Sequence, residues 1–162
     1  MATYAPPRHL QRGQIEEEDA AILKLGIEYE GVHCLANSEV KILLEQQINN
    51  EPNKPLTNVY QKTLQHVKEF SRFHTHDTHR EIRNLLDMGD LPEQQRDGDP
   101  EHYMHTKLRL EPFEKAQLIN LCCEDSEEAK SLIPSLNRPE VDDDELQKIL
   151  NDLLNIKKFQ TI

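Results

Sequence analysis

Apolar residues recur at helical spacing along the chain from Asn37 onward. In the segment NSEVKILLEQQINN, residues 37–50, they fall on a single stripe, as expected of a helix with one buried face. That stripe consists of Val40, Leu43, Leu44 and Ile48. Similar patterns predict further helices within residues 57–73, 77–89, 111–123, 124–134 and 141–154. No segment after residue 35 has the two-residue period of a strand, so the body is predicted to be all-α.

Residues with capping chemistry mark where these helices begin. Asn37 or Ser38 is the expected N-cap of the first helix, and Asp77 or His76 that of the third. The last helix has the strongest signal, with capping-box and hydrophobic-staple residues at its start. The later start signals are Pro112 in a first turn, Asp125 with Glu128, Asp142 with Glu145, and the staple pair Val141 and Leu146.

The chain ahead of this helical body has a different character. Residues 1–14 are polar and interrupted by Pro and Gly, which predicts a disordered tail. Residues 15–34 run from an acidic stretch into short apolar pieces broken by Gly26 and Gly31. We predict an extended arm that lies on a partner surface, although packing back on its own domain fits these residues equally well. Residues 35–162 form the helical domain, and residues 90–109 are predicted to be a flexible insertion loop.

The charge balance narrows the classes of partner. The chain has 162 residues and a net charge of −11, which disfavours a principal contact with nucleic-acid phosphates or anionic membranes. No apolar run approaches the roughly 20 residues that span a bilayer. The N-terminus lacks the apolar stretch of a secretory signal. Three cysteines, two of them adjacent, make no disulfide framework, so a reducing compartment is expected.

The most conspicuous candidate for chemistry is HTHDTH, residues 74–79. It is one transposition away from the zinc signature H-x-H-x-D-H, which belongs after a strand in a mixed α/β fold. On a helix, His74 and His76 would point in nearly opposite directions, and only His76 and His79 could share a face. We therefore expect no metal site. Three clustered imidazoles could still make this helix junction sensitive to pH.

Other catalytic arrangements are not indicated. The adjacent Cys122 and Cys123 lack C-x-x-C spacing, and a buried apolar role is expected for at least one of them. The DDDE stretch, residues 142–145, has the acidic chemistry of a helix N-terminus. There is no Gly-rich phosphate loop and no nucleophile elbow. The sequence predicts a non-catalytic protein without a cofactor.

Several stretches together resemble one protein family. They are EEDAAILKLGIEYE, NSEVKILLE, EFSRF, PFEKAQLINLCCEDSEEAKSLIPSL, DDELQKILNDL and KKFQ, and they span most of residues 16–160. These stretches resemble the fourth subunit of eukaryotic RNA polymerase II and its counterpart in the archaeal polymerase. The KLGIEY stretch is similar to fungal members in particular. The histidine run and the long loop at 90–109 depart from the family pattern.

The resemblance implies a nuclear, non-catalytic stalk subunit that pairs with the seventh polymerase subunit on the polymerase core. It implies a fold like the helicase-and-RNase-D C-terminal (HRDC) domain, with RNA contacted only through the partner. The positions carried over as partner-binding are Ala20, Ala21, Ile22, Leu23, Leu25, Tyr29, Val40, Leu43, Leu44 and Ile48. Those expected in the structural core are Phe113, Leu132, Ile133, Pro134, Leu136, Leu146, Ile149, Leu150 and Leu153.

Two other interpretations remain at this stage. A free helical nucleic-acid accessory domain of the same fold type would need a basic stripe, and residues 37–90 come closest to charge balance without reaching an excess. A zinc hydrolase built on the histidine cluster would hold its metal stoichiometrically.

Overall fold

The computed structural model describes residues 18–29, 32–53, 55–87 and 108–160. Within these ranges the chain forms six α-helices and no strand, which confirms the all-α prediction. The helices are α1 (Asn37–Asn50), α2 (Asn58–Phe70), α3 (His76–Asp87), α4 (Pro112–Leu121), α5 (Ser126–Leu132) and α6 (Asp143–Phe159). Short 3-10 turns occur at Ala20–Ile22, Ile27–Tyr29 and Pro134–Leu136. The finer resemblance to the HRDC fold stays a prediction.

The capping residues of the first and third helices lie one residue before the predicted ones. Ala36 is the N-cap of α1, and its N–H donates to Glu39 Oε2 at 2.7 Å. Glu39 thereby forms one half of a capping box, in which the side chain at N3 accepts from the N-cap N–H. The other half needs a polar side chain at the N-cap, which Ala36 lacks. At α3, the N–H of Thr78 donates to the hydroxyl of Thr75 at 3.2 Å. Asp77 instead pairs with Arg80 at 2.5 Å, so its predicted capping role is wrong.

The starts of α4, α5 and α6 use the predicted Pro112, Asp125 and Asp142, but the return half of the predicted capping box is not formed at α5, where Glu128 accepts from the Glu124 N–H at 2.8 Å, or at α6. Pro112 is the first residue of α4. Its missing N–H costs nothing at that position, because the N–H groups of the first turn have no intrahelical acceptor. Asp125 accepts from the N–H of Glu128 at 2.8 Å, and Asp142 accepts from the N–H groups of Asp144 and Glu145. The predicted end of α6 at residue 154 is too early, because the apolar stripe continues through half-buried Ile156 to Phe159.

The hydrophobic core lies among α3, α4, α5 and α6, and α6 contributes its whole apolar stripe. By contrast, α1 and α2 pack mainly on each other, and Val67 is the one apolar residue of this pair of helices that is buried. The buried apolar side chains of α6 are Leu146, Ile149, Leu150 and Leu153. No helix of the described residues is long and apolar enough to cross a bilayer.

Two residues assigned to the core lie elsewhere. Leu132 is 54% exposed and Pro134 is also exposed, so those two assignments are wrong. Leu132 and Ile133 are adjacent, so their side chains point in directions about 100° apart on a helix, and it is Ile133 that is buried. Phe113 is half-buried and packs against the core. Leu108, at the end of the segment assigned to a flexible loop, is 2% exposed. The predicted tail 1–14 and residues 88–107 lie outside the described residues.

Candidate partner interface

The arm is folded rather than extended over Asp19–Tyr29. Asp19 accepts from the N–H of Ala21 at 2.9 Å and forms an antiparallel bridge with Lys24, which closes a tight loop. Leu23 has a left-handed backbone with φ 59°, and Gly26 has φ 93°. A side chain at Gly26 would place its Cβ 3.2 Å from Glu18 Oε1. A non-glycine residue at positive φ costs backbone energy, which marks Leu23 as a position fixed by its surroundings.

The arm packs back on its own domain. Its first 3-10 turn lies against Pro134–Leu136, in the SLIPSL stretch. A cavity of about 300 Å³ opens between the arm and the start of α4. Its walls include Leu25, Tyr29, Cys34 and Phe113. The alternative left open by the sequence, in which the arm contacts its own chain, is therefore the arrangement observed.

The arm and the adjoining Leu35 also present apolar side chains to solvent. We define the apolar arm surface by five of them, which are Ile22 (68% exposed), Ile27 (47%), Tyr29 (59%), Val32 (47%) and Leu35 (48%). The other predicted contact residues of the arm are exposed (Ala20, Ala21) or half-buried (Leu23, Leu25). Scattered exposed apolar residues need no explanation, but five within 14 residues of one arm indicate an interaction surface.

The predicted contact stripe of α1 divides into two parts. Leu43 is 52% exposed, whereas Val40, Leu44 and Ile48 are half-buried. The hydroxyl of Tyr60 on α2 donates to the Leu44 carbonyl at 2.5 Å. Because α1 already packs against α2, only part of its apolar stripe is available to a partner.

A half-buried ion pair anchors the junction between arm and body. Arg83 of α3 donates to both carboxylate oxygens of Glu39, at 2.7 and 2.6 Å, and to the Cys34 carbonyl at 2.8 Å. Burial acts to raise the pKa of Glu39, but the Arg83 and Ala36 hydrogen bonds prevail and lower it. No local sequence signal links the two residues, because 44 residues separate them along the chain.

A second network supports the surface beneath the arm. Glu114 is fully buried and accepts from the Ser135 hydroxyl at 2.7 Å, from Arg138 Nη2 at 2.9 Å and from the Glu111 N–H at 2.9 Å. Arg138 Nη1 also donates to it, and hydrogen bonding to Glu114 raises the pKa of Arg138. The network ties the start of α4 to the turn Pro134–Leu136 on which the arm lies. A charged residue on an otherwise apolar helix face was the available sequence signal, and it was not used.

The histidine cluster does not converge on one point. His74 and His76 are exposed, and His76 Nε2 lies 3.2 Å from the amide nitrogen of Gln46. His79 is 7% exposed and packs edge-on against Phe73, with ring centroids 6.3 Å apart. In the described part of the chain, no three His, Cys, Asp or Glu residues gather where they could hold a metal. Burial lowers the pKa of His79 and outweighs the nearby Glu39 carboxylate, which acts in the opposite direction.

The two adjacent cysteines are both buried. Cys122 ends α4 with a left-handed backbone of φ 52° and is 7% exposed, and Cys123 is 2% exposed. Burial raises the pKa of the Cys122 thiol to about 11, and burial also raises that of Cys123. Thiols in this state are poor nucleophiles, since the reactive form is the thiolate.

Comparison with known proteins identifies the family. The profile of the family described as RNA polymerase Rpb4 matches residues 34–157. The chain is 37% identical over 153 residues to "DNA-directed RNA polymerase II subunit 4" of Arabidopsis thaliana, covering 90% of this chain and 97% of that protein. It is 39% identical over 151 residues to "DNA-directed RNA polymerase II subunit rpb4" of Schizosaccharomyces pombe, covering 90% and 96%. This chain belongs to the RNA polymerase Rpb4 family, as its sequence motifs predicted.

The relative from Saccharomyces cerevisiae, "DNA-directed RNA polymerase II subunit RPB4", differs in extent. It is 36% identical over 118 residues, which cover 73% of this chain but only 42% of that longer protein. The matched region thus covers nearly all of the Arabidopsis thaliana and Schizosaccharomyces pombe relatives and less than half of the Saccharomyces cerevisiae one.

Proposed function

We propose that this chain is the fourth subunit of RNA polymerase II and acts there as a non-catalytic stalk subunit in the nucleus. The observation that carries the proposal is the similarity over nine tenths of the chain to relatives named as that subunit. The absence of a catalytic constellation in the sequence agrees with activity that resides in other subunits. The seventh subunit is the expected partner in a heterodimer, and RNA is expected to be contacted through it.

The apolar arm surface and Leu43 are the proposed contact with that partner. Ile22, Tyr29 and Leu43 belong to the predicted interface and are exposed in the isolated chain, and Ile27, Val32 and Leu35 are exposed apolar residues that the sequence did not predict. The hydrogen-bonded loop at Asp19–Lys24 holds the arm in one shape, which reduces the conformational entropy lost on binding. A stable interface buries on the order of 1,000 Å² or more in total, so the pair should survive dilution.

Co-expression with the seventh subunit tests this proposal. We expect a one-to-one complex by light scattering, and two separate monomers would contradict it. An Ile22→Asp/Tyr29→Asp variant should weaken the complex by about 100-fold or more, since charged groups would be buried at the contact. Val59→Asp is the matched control, because Val59 is 75% exposed and lies on α2, outside the apolar arm surface.

Thiol labelling offers a second readout that needs no mutation at the interface. Cys34 lines the cavity beside the arm and is half-buried, whereas Cys122 and Cys123 are buried. Bound partner should slow the labelling of Cys34 and leave the other two thiols unchanged. Equal labelling rates with and without the seventh subunit would place the interface elsewhere.

A further inference from the structure

A group of basic residues lies at the far end of α4 from the arm. The arm contacts the start of α4 near Phe113, whereas Arg72 and Lys157 act electrostatically on Cys122, about 15 Å away at the other end of this ten-residue helix. We define the basic end surface by residues from the α2–α3 linker and the last turn of α6, which are Arg72, His74, Lys157, Lys158 and Phe159.

One side chain fixes the relative position of the two segments. Gln160 donates from its amide nitrogen to the Arg72 carbonyl at 2.9 Å and accepts from the His74 N–H at 3.2 Å. This bidentate contact holds the α2–α3 linker against the end of α6. Burial raises the pKa of the Cys122 thiol, and the positive charges of Lys157 and Arg72 act in the opposite direction, so both lie within electrostatic reach of the same atom.

The charges of this surface are not neutralised within the described chain. Arg72, Lys157 and Lys158 form no ion pair with any described residue, and no carboxylate belongs to the surface. Elsewhere in the described ranges, several cations pair with carboxylates, and these are Lys68, Arg80, Arg83, Lys115, Lys130 and Arg138. In a chain with net charge −11, an uncompensated cluster of cations is a local exception.

Helix electrostatics explain only part of this arrangement. Lysines in the last turn of α6 complement the negative end of the helix dipole, and Lys157 and Lys158 fit that role. Arg72 comes from a different element, the linker that follows the C-cap of α2. Phe159 is 76% exposed, and its ring contacts the Lys158 ammonium at 5.6 Å from the ring centroid. A surface that combines these cations with an exposed aromatic ring can contact a ligand that is both anionic and apolar.

We propose that the basic end surface binds an acidic peptide segment of a partner protein, with an apolar side chain of that peptide against Phe159. Carboxylates would pair with Arg72, Lys157 and Lys158, and the Arg72 guanidinium can take a carboxylate in bidentate fashion. A peptide can place a few carboxylates within about 8–10 Å of these cations, where their attraction is little screened, and its other residues can be uncharged. RNA carries a phosphate at every nucleotide, so the acidic remainder of the chain repels the part of it that lies beyond the basic surface, and the peptide is the better match.

Selection from a displayed library of random twelve-residue peptides tests the proposal on the full chain. Peptides should be selected on the wild type and counter-selected on an Arg72→Ala/Lys157→Ala/Lys158→Ala variant. We expect the survivors to be enriched in Asp and Glu next to Phe, Leu or Trp. An empty selection, or survivors without acidic residues, would overturn the proposal.

Affinity measurements with a synthetic peptide from that selection test the proposal quantitatively. The triple variant should lose about tenfold or more in affinity, with the loss reduced at high salt. A Lys41→Ala/Lys62→Ala/Lys148→Ala variant removes the same charge elsewhere and should stay within about twofold, because distant exposed charges are screened. Phe159→Ala should weaken a Phe-containing peptide more than its Phe-to-Ser version. Circular dichroism checks that each variant is folded, and equal losses in the two triple variants would refute the site.

A fluorescent twelve-nucleotide oligouridylate is the competing probe. Under the same conditions it should bind at least about tenfold more weakly than the selected peptide, given the acidic remainder of the chain. Tighter binding of the oligonucleotide, lost in the Arg72/Lys157/Lys158 variant, would assign the surface to RNA instead and would overturn the peptide proposal.

Discussion

Arg138→Ala removes two N–H donors from the Glu114 carboxylate, which is fully buried. The carboxylate keeps the Ser135 hydroxyl and the Glu111 N–H, at 2.7 and 2.9 Å, but loses its counter-charge. Breaking a buried ion pair by removing one partner costs about 3–5 kcal/mol. Because the Arg138 side chain is itself 24% exposed, water can reach part of the vacated site, and we expect about 3 kcal/mol, the lower end of that range.

Urea unfolding of the whole chain, followed by far-UV circular dichroism, measures this loss in the free energy of unfolding. A matched control is Arg80→Ala, which removes an arginine from an ion pair whose side chains are 73% and 87% exposed. Exposed pairs contribute about 0–1 kcal/mol, so this control should leave the urea midpoint almost unchanged. A Glu114→Leu/Arg138→Met variant should recover part of the loss, since an apolar pair leaves no buried charge. Equal midpoints for Arg138→Ala and Arg80→Ala would refute the reasoning.

Three further predictions concern single residues. The lowered pKa of buried His79 means that the unfolded chain takes up a proton first, so stability should fall as pH drops from about 7 through about 6.5 toward the folded pKa. His79→Gln should flatten the fall in urea midpoint between pH 7.5 and 5.5, and His74→Gln, at an exposed position, should not. A water-soluble aryl disulfide at pH 8 should label one thiol in the native chain, and Cys34→Ser should abolish this until urea is added. Gly26→Ala should strain the arm at φ 93° and weaken the partner complex, with global unfolding changed by less than about 1 kcal/mol.

The outcome for His79 also bears on the histidine cluster as a whole. From the sequence, His74, His76 and His79 were predicted to act together as one pH-sensitive group. In the fold only His79 is buried, with Nε2 unpaired among the described residues and with Glu39, Arg83 and His76 as its charged or titratable neighbours. If the pH profile of His79→Gln matched that of the wild type, the junction would carry no pH dependence from this cluster.

Short stretches of sequence were enough to predict most of the secondary structure of this protein and the family to which it belongs. Each signal acts within one or two helical turns, as with the N-cap at Asp142 and the apolar stripe from Leu146 to Leu153. Where two neighbouring residues carried the same sequence signal, as N-cap candidates or as core candidates, the predicted role was wrong for at least one of them. The start of α1 offered two polar candidates, and the chain used Glu39 to reach back to Ala36 instead. At α5, the burial of Ile133 rather than Leu132 depends on which side of the helix faces α6. No short stretch of sequence specifies that side.

Tertiary structure alone decided which charges meet. Glu114 and Arg138 are 24 residues apart, and Glu39 and Arg83 are 44 apart, so neither pair has a periodic signal in the sequence. The sequence determined a net charge of −11 and so excluded a broadly basic surface. Only the packing of α6 against the α2–α3 linker, through Gln160, placed Arg72 beside the lysines of another element. Charge is summed along the chain but acts through space, and the fold sets those distances.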